Sequence, residues 1–121
     1  MSKVKVMIHR GTHQIGGCCN EIATDATRIL IDFGMSLPGE NQSQLIVPGA
    51  NRAGKIYDAI LITHSHGDHI GELHSVQKDI PIYMGKSTKD ILIAYKGHMG
   101  NQYLGGLSFE NVCCIDVFME Y

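Results

Sequence analysis

The chain has 121 residues, of which 44% are hydrophobic and 18% are charged, and its formal net charge is −2. This length allows one domain at most, and the hydrophobic content favours a folded core over a disordered chain. The charge balance gives no basic surface for gripping a phosphate backbone. No apolar run approaches the roughly 18 residues of a membrane span. The first residues lead into a strand pattern rather than a signal peptide, so we predict a cytoplasmic protein with no membrane partner.

Four cysteines occur as two adjacent pairs, Cys18-Cys19 and Cys113-Cys114. No Cys-x-x-Cys spacing is present, so neither a zinc knuckle nor a thioredoxin-type motif is offered. Adjacent residues of a strand point to opposite faces, and one cysteine of each pair is therefore expected inside the fold as a reduced thiol. A metal-ligand role for a cysteine is the alternative.

The first third of the chain is predicted to be an antiparallel meander. Val4, Val6 and Ile8 alternate with other residues in the pattern of a half-buried strand. A glycine-rich turn over 11–17 follows. Strands are then predicted from Cys19 to Ala23 and from Arg28 to Asp32, with a hairpin turn between them.

The middle of the chain alternates between loop, strand and helix. Residues 35–55 are rich in proline and glycine, and long segments of this kind are usually functional rims or mobile. Asp58 to Thr63 is an apolar run typical of a strand buried on both faces. Ile70, Leu73 and Gln77 then recur at helical spacing.

The last third continues the alternation. A strand is predicted from Ile80 to Met84, followed by a helix over 88–96 that Ser87 would cap. Residues 101–106 break structure, and Val112 to Met119 forms a last strand. The order indicates an α/β fold with a mixed sheet, in which loops at the strand ends carry the site.

Three histidines and one aspartate fall within six residues directly after the predicted buried strand: His64, His66, Asp68 and His69. His64 and His66 are two apart, so they project to the same side of an extended segment. Gly67 lets the backbone turn, and Asp68 and His69 can then face the same cavity at the start of a helix. Imidazole and carboxylate together suit zinc, or manganese or iron. A histidine-rich polar loop without a metal is the alternative.

This His-x-His-x-Asp-His pattern resembles the signature of the metallo-β-lactamase superfamily. Arg28–Gly34 is similar to that superfamily's earlier strand, which ends in Asp and a Gly turn. Gly11–Cys19 and Ile82–Asp90 resemble segments of its RNA-processing branch, the β-CASP nucleases of the RNase J type. The resemblance implies a metallo-β-lactamase-like αββα sandwich, of which residues 1–121 would be the N-terminal half.

The resemblance also implies a site with two zinc ions. His64 and His66 would bind the first metal and Asp68 and His69 the second, with a water activated between them. Asp68 would also orient that water as the catalytic residue. Asp32 is either a partner that fixes a ligand or a turn residue that ends a strand. The remaining histidines are predicted to have no ligand role: His9, His13, His74 and His98.

The function implied is metal-dependent hydrolysis of a phosphodiester in RNA or DNA. The alternatives are hydrolysis of a small thioester, lactone or β-lactam, or a truncated, inactive half-domain that binds metal. Complete sandwiches of this type have roughly 200–250 residues in one domain. Because the net charge is −2 and lysine and arginine do not cluster, we expect weak nucleic-acid binding by this chain alone. We also expect a homo-oligomer, most simply a dimer, that covers the exposed apolar face.

Overall fold

The structure, a computed structural model, describes residues 3–39, 43–99, 107–110 and 112–115. Within these residues six strands form one sheet whose spatial order follows the sequence. The strands are β1 (Lys5–Arg10), β2 (Cys19–Ala23), β3 (Arg28–Ile31), β4 (Ala59–Leu61), β5 (Ile82–Gly85) and β6 (Val112–Ile115). The helices are α1 (Gly67–Ile70) and α2 (Lys86–Met99), and a 3₁₀ turn spans Leu73–Ser75.

The predicted meander is confirmed, because β1, β2 and β3 pair antiparallel. The hairpin between β2 and β3 is closed by Thr24. Its hydroxyl oxygen accepts hydrogen bonds from the amides of Ala26 and Thr27 at 3.2 and 3.1 Å, and its own amide donates to the carbonyl of Thr27. A side chain that hydrogen-bonds its own turn in this way fixes the register of the flanking strands.

The second half of the sheet is parallel, since β3, β4, β5 and β6 all run in one direction. The carboxyl ends of these strands therefore meet at one edge of the sheet. β1 also ends there, because it is antiparallel to β2, which is antiparallel to β3. The segments that follow β1, β3 and β4 are thus brought together, and we call this side of the sheet the site edge.

One face of the sheet carries the hydrophobic core. Leu30 of β3, Ile60 of β4 and Ile82 of β5 are neighbours in register and are almost fully buried. The segments after the sheet strands cover them with buried side chains: Leu45, Val47, Ala50, Ile70, Leu73 and Leu92. Burying apolar surface of this kind is the dominant favourable contribution to folding.

The loop predicted as a rim or a mobile segment packs, over 43–55, against the core. The Asn51 side chain accepts a hydrogen bond from the Val47 amide at 2.9 Å and donates to the Leu45 carbonyl at 2.7 Å and the Ser75 hydroxyl at 3.1 Å. Asn51 thereby replaces the backbone partners that a helix would supply. Residues 40–42 lie outside the described part.

The opposite face of the sheet is apolar and left out of the core. Val6 and Ile8 are 67% and 51% exposed, and Ile115 at the other end is 44% exposed. The side chains between them are half-buried: Ile22, Ile29, Ile31 and Leu61. The prediction that β1 is half-buried is wrong for the described chain, because its apolar residues belong to this uncovered surface, which we call the open face.

The helices differ from the sequence prediction at their ends. α2 begins at Lys86, so Ser87 lies inside its first turn and is not the N-cap. The helical spacing after the histidines yields only α1 and the 3₁₀ turn. Gly71, at the end of α1, lies so close to Met35 that a Cβ there would be 2.6 Å from the Met35 side chain.

The two cysteine pairs behave differently. Cys19 is buried beside the partly buried Cys18, as expected. Cys113 and Cys114 are both exposed, so the prediction fails for the second pair, which lies on the edge strand β6. Residues 101–106 and 116–119, where a break and the end of the last strand were predicted, lie outside the described part. Among the described helices none is long and apolar enough to cross a membrane.

Candidate metal centre

The histidine motif lies at the site edge, directly after β4. Each of His64, Asp68 and His69 offers one ligand atom, and these atoms lie within 4.8 Å of one another. The ring centroids of His64 and His69 are 4.0 Å apart. The Nε2 atom of His69 lies 3.4 Å from Oδ2 of Asp68. All three side chains are partly exposed, so the group faces solvent.

His66 lies outside this group of ligand atoms. Its ring stands edge-on to that of His64, with 4.7 Å between centroids, and the residue is exposed. The two histidines do lie on the same side of the segment, as their spacing predicts. The structure thus brings together three of the four ligands expected from the sequence and leaves His66 beside them.

Asp32 is buried directly beneath the group, with 3% of its surface exposed. It follows β3, while Thr63 follows β4, and the parallel pairing of these strands places the two residues side by side. The Asp32 carboxylate accepts hydrogen bonds from the Thr63 amide and hydroxyl, both at 2.8 Å, and from Nδ1 of His69 at 2.7 Å. Three donors satisfy a carboxylate that burial would otherwise make costly.

These bonds decide which nitrogen of each imidazole faces outward. A carboxylate can only accept, so His69 donates its Nδ1 proton to Asp32, and Nε2 is the ring nitrogen that faces Asp68. Thr63 has one hydroxyl proton and gives it to Asp32. Its oxygen must therefore accept the Nδ1 proton of His64, which lies 2.9 Å away. Asp32 consequently orients His69 directly and His64 through Thr63, and both imidazoles offer Nε2.

The helix that carries Asp68 and His69 is docked by its own backbone. The amides of Cys18, Phe33 and Met35 donate to the carbonyls of Asp68, His69 and Gly67, respectively, at 3.0, 2.9 and 3.1 Å. A single-turn helix is not stable by itself, because the free-energy cost of fixing its backbone exceeds the gain from the few hydrogen bonds of one turn. α1 is therefore held in place by the segments that follow β1 and β3.

Two backbone features allow this docking. Asp32 adopts a left-handed conformation with φ of 64°, one that aspartate tolerates better than most residues, and it turns the chain toward α1. Gly34 then passes so close to α1 that a Cβ would lie 1.7 Å from the Asp68 carbonyl oxygen. Only glycine permits this approach, and the Gly turn after Asp32 is thus a structural requirement of the site.

The neighbouring thiols respond to this environment. Burial raises the pKa of Cys18, and the nearby carboxylates of Asp32 and Asp68 raise it further. Burial raises the pKa of Cys19 to about 12. Both groups are therefore neutral thiols at physiological pH, and neither belongs to the group of His64, Asp68 and His69.

The donor set fits a divalent ion. Zinc binds imidazole nitrogen and carboxylate oxygen at about 2.0–2.2 Å, so its ligands lie within roughly 4 Å of one another. The 4.8 Å span of the group therefore needs only a small closure. Two orienting bonds to the imidazoles, through Asp32 and Thr63, are the arrangement in which a ligating histidine is held by an outer partner.

Another cluster of polar side chains lies away from the site edge. The Glu21 carboxylate accepts hydrogen bonds from Tyr57 at 2.6 Å, from His9 at 2.8 Å and from Arg28 at 2.9 Å. The Arg28 guanidinium also lies 4.0 Å from the centroid of the Tyr57 ring. Burial alone would raise the pKa of Glu21, but these hydrogen bonds lower it to about 2. His9 thus has a structural partner.

The structure also describes the other histidines that are predicted to have no ligand role. His13 is exposed in the turn after β1, and His74 is exposed with its Nδ1 3.1 Å from the Gly71 carbonyl. His98 lies in the last turn of α2. Thr63 is a residue of this site that the sequence pattern does not indicate, although it directly precedes the first histidine of the motif.

Comparison with known protein families identifies the superfamily to which the chain belongs. A family model described as the β-lactamase superfamily domain matches residues 27–101, which is more than half of the chain. The chain therefore belongs to this superfamily, and the resemblance noted in its sequence is confirmed. A metal site of the metallo-β-lactamase kind is expected in such a domain, with the identity of the metal left open.

Among curated proteins, the chain is 34% identical to the RNase J-like protein of Methanocaldococcus jannaschii over 89 residues and 35% identical to ribonuclease J of Helicobacter pylori over 89 residues. It is 27% identical to the transcription termination factor FttA of M. jannaschii over 92 residues. These matches cover 74%, 68% and 74% of the chain but only 19%, 13% and 14% of the relatives. The chain thus spans less than a fifth of their length.

A solved structure supports the fold. A crystal structure of a protein of unknown function from Enterococcus faecalis matches 98% of this chain and 34% of its own, with a TM-score of 0.65 and 23% identity. With the superfamily match, this likeness confirms a metallo-β-lactamase-like arrangement of a mixed sheet with few helices.

Proposed function

We propose that this chain carries metal ligands of a metal-dependent hydrolase that cleaves phosphodiester bonds in RNA or DNA. The observation that carries the proposal is the group formed by His64, Asp68 and His69 above the buried Asp32. Support for the substrate class comes from the relatives, two of which are named as a ribonuclease or as RNase J-like. The superfamily itself supports hydrolysis and a divalent metal.

In this proposal His64 and His66 hold one ion, and Asp68 and His69 hold the other. Zinc is the expected metal, with manganese or iron as substitutes that the same donors accept. When bound, the metal supplies a Lewis acid and a water whose pKa is lowered. His66 joins the set by rotation of its exposed side chain, which already lies beside His64.

The chain's own residues prepare the site for that chemistry. Asp32 holds the His69 ring directly and the His64 ring through Thr63, with Nε2 outward in both, so only the small closure of the group is needed before binding. Asp68 is partly exposed, and its carboxylate can orient a water at the substrate side while remaining near His69. We assign Asp68 as the catalytic residue for that reason.

We further propose that residues 1–121 are the N-terminal part of a larger metallo-β-lactamase-like domain. The small share of each relative that the chain covers and its uncovered open face support this. In the larger protein other segments would supply the remaining ligands and the surface that grips nucleic acid. A net charge of −2 gives this chain little attraction for a phosphate backbone.

Hydrolysis assays on the metal-loaded chain test the function. Single-stranded RNA, a thioester and a chromogenic β-lactam are offered in parallel, with the His64→Ala variant and a chelator as controls. Cleavage of RNA that both controls abolish supports the proposal, whereas cleavage of only the thioester or the β-lactam assigns a small acyl substrate. Metal binding with no turnover of any of the three favours a non-catalytic half-domain for the isolated chain.

RNA affinity is tested separately, because binding and cleavage have different requirements. We expect the isolated chain to bind RNA weakly and to release it at modest salt, as follows from its charge. Filter binding over a series of salt concentrations measures this. Tight binding that persists in high salt would contradict the assignment of the gripping surface to other segments.

We also propose that two copies of the isolated chain associate through the open face. Val6, Ile8 and Ile115 are exposed on this surface, and soluble monomers rarely expose large contiguous apolar patches. A two-fold dimer is the simplest way to cover it. Light scattering on the wild type and on Val6→Lys tests this: we expect a dimer that the variant dissociates, and a wild-type monomer at micromolar concentration would contradict it.

A cytoplasmic location is the corresponding proposal for the compartment. The four cysteines are free, and none of them forms a disulfide. Reduced thiols are usual in the cytoplasm and rare among secreted proteins.

A further inference from the structure

Arg10, the last residue of β1, joins three separate segments of backbone at the site edge. Its Nε donates to the Gly17 carbonyl at 3.2 Å, one Nη to the Ser43 carbonyl at 2.7 Å and the other Nη to the Gly34 carbonyl at 2.6 Å. One side chain therefore connects the turn after β1, the segment after β3 and the start of the loop over 43–55.

An irregular register at the end of β1 directs the Arg10 side chain toward these carbonyls. Ile8 pairs with Asn20, but Arg10 pairs with Cys19, so the register is irregular between them. A bulge of this kind at a strand end redirects a side chain. Gly17 has a φ of 65°, and a Cβ on it would lie 2.6 Å from the Arg10 Nε. The absence of a side chain at Gly17 is thus what leaves room for the guanidinium.

Two of the three segments that Arg10 holds are the ones that dock α1. Cys18, next to Gly17, donates its amide to the Asp68 carbonyl, and Gly34 donates its amide to the Cys18 carbonyl, both at 3.0 Å. Gly34 also packs directly on the Asp68 carbonyl. Because these contacts are close, a displacement of Gly17 or Gly34 would also displace the backbone of Asp68.

We propose that Arg10 is a positioning residue of the metal centre, which fixes the two backbone segments against α1 and thereby sets where Asp68 and His69 stand relative to His64. The readout through metal rests on the proposed function. Lysine cannot replace Arg10, because its single ammonium cannot reach three carbonyls in three directions as the planar guanidinium does.

Arg28 offers a matched control. It is also well bonded, since its guanidinium contacts Glu21, the Lys55 carbonyl and the Tyr57 hydroxyl. It begins β3, whereas Asp32 follows the end of the same strand, which at about 3.3 Å per residue is roughly 13 Å away. Arg28→Lys therefore removes a comparable set of bonds without contact to the segments that dock α1.

The experiment compares Zn²⁺ affinity, thermal unfolding and amide hydrogen exchange in the wild type, Arg10→Lys and Arg28→Lys. Affinity is measured by competition with a chromophoric chelator, and unfolding and exchange are measured on the metal-free proteins. We expect Arg10→Lys to bind Zn²⁺ about 10-fold more weakly, the lower end of what loss of an outer partner costs, and to exchange faster over 16–18, 33–35 and 67–70. We expect Arg28→Lys to unfold at lower temperature with unchanged Zn²⁺ affinity.

Wild-type affinity and exchange in Arg10→Lys would overturn the proposal, as would an equal loss of affinity in Arg28→Lys, which would indicate general destabilisation. If Arg10→Lys does not fold, Arg10→Ala refolded in millimolar guanidinium decides: recovered Zn²⁺ affinity supports the role, and no recovery counts against it. If the wild type binds no Zn²⁺, the proposed function fails and the exchange data alone decide on Arg10.

Discussion

Among the described residues two carboxylates are buried, Asp32 and Glu21. Their hydrogen-bond environments are similar, but they have different surroundings at the surface. Each accepts three hydrogen bonds and one of its donors is a histidine ring nitrogen. Around Glu21 the donors bond to one another as well, since Arg28 also donates to the Tyr57 hydroxyl. Around Asp32 the donors Thr63 and His69 connect outward instead, to His64 and Asp68.

The two clusters differ in whether they present ligand atoms to solvent. The Glu21 cluster is closed, and its bonds add to the stability of the fold. The Asp32 cluster ends in imidazole nitrogens and a carboxylate gathered within 4.8 Å at the surface. Of the two carboxylates, only Asp32, which lies where strand ends open onto solvent, supports a group of candidate metal ligands. The following experiments test this division, in order of decreasing effect on metal affinity.

Removal of a ligand is expected to have the largest effect. His64→Ala, Asp68→Asn and His69→Ala should each weaken Zn²⁺ binding by more than the roughly 10–100-fold that loss of an outer partner costs. His66→Ala tests the fourth ligand, which the structure leaves outside the group. Isothermal titration measures all four. If His66→Ala binds Zn²⁺ as tightly as the wild type, His66 is not a ligand. If the other three variants also bind Zn²⁺ as tightly as the wild type, these residues do not form a metal site.

Asp32→Asn is expected to come next, with Zn²⁺ affinity about 10–100-fold lower. The amide can still accept from Thr63, but it cannot stabilise both orienting donors as a carboxylate does. The matched control is Glu21→Gln, the same change in the closed cluster, which should leave Zn²⁺ affinity at the wild-type value. Equal losses in both variants would show that the two clusters are not separate.

Thr63→Val should have a smaller effect, near 10-fold, because it removes the bond to His64 and one donor to Asp32 but keeps the bond between Asp32 and His69. Valine keeps the shape of threonine but removes the hydroxyl that accepts from His64 and donates to Asp32. Thr63→Ser is the control, since it retains the hydroxyl and should bind Zn²⁺ like the wild type. A loss of affinity in serine as large as that in valine would contradict the relay, because serine keeps the hydroxyl.

Glu21 should affect stability and not metal binding. Its pKa is about 2 in the folded protein and about 4.3 in an unfolded chain. Because the folded pKa is the lower one, the contribution is fully present above about pH 4.3 and is lost as the pH falls toward 2. The difference corresponds to about 3 kcal/mol of unfolding free energy.

Urea unfolding of the metal-free protein between pH 5 and pH 2, a range set by those two pKa values, measures this contribution. We expect the wild type to lose stability across the window. Glu21→Gln should start lower by at most about those 3 kcal/mol, because the partly exposed Arg28 loses its ion-pair partner but keeps the Lys55 carbonyl and the Tyr57 hydroxyl. The stability of this variant should also change less with pH. A wild type whose stability does not respond to acid in this range would contradict the assigned role of Glu21.

The sequence by itself determined which ligand-type side chains lie at the site edge, and much of the layout. The meander followed from alternating residues and short polar turns, which are local properties of the chain. The group His64, Asp68 and His69 followed from spacing within one segment, because two adjacent turns fix where such close neighbours point. The role of Asp32 was left open between a turn residue and a ligand partner. The structure shows the turn and a hydrogen bond between Asp32 and His69, and that this bond holds a metal ligand stays a prediction.

Only the tertiary structure decided the features that depend on distant pairing. Parallel pairing of β3 and β4 brings Asp32 to Thr63, 31 positions later. The segment over 43–55 packs on the core although its composition resembles a mobile loop, because Asn51 satisfies its backbone. The ends of α2 and the exposure of β1 and Cys113 depend on which surfaces are covered. Local pattern cannot specify these outcomes, since burial is a property of neighbours that the sequence places far away.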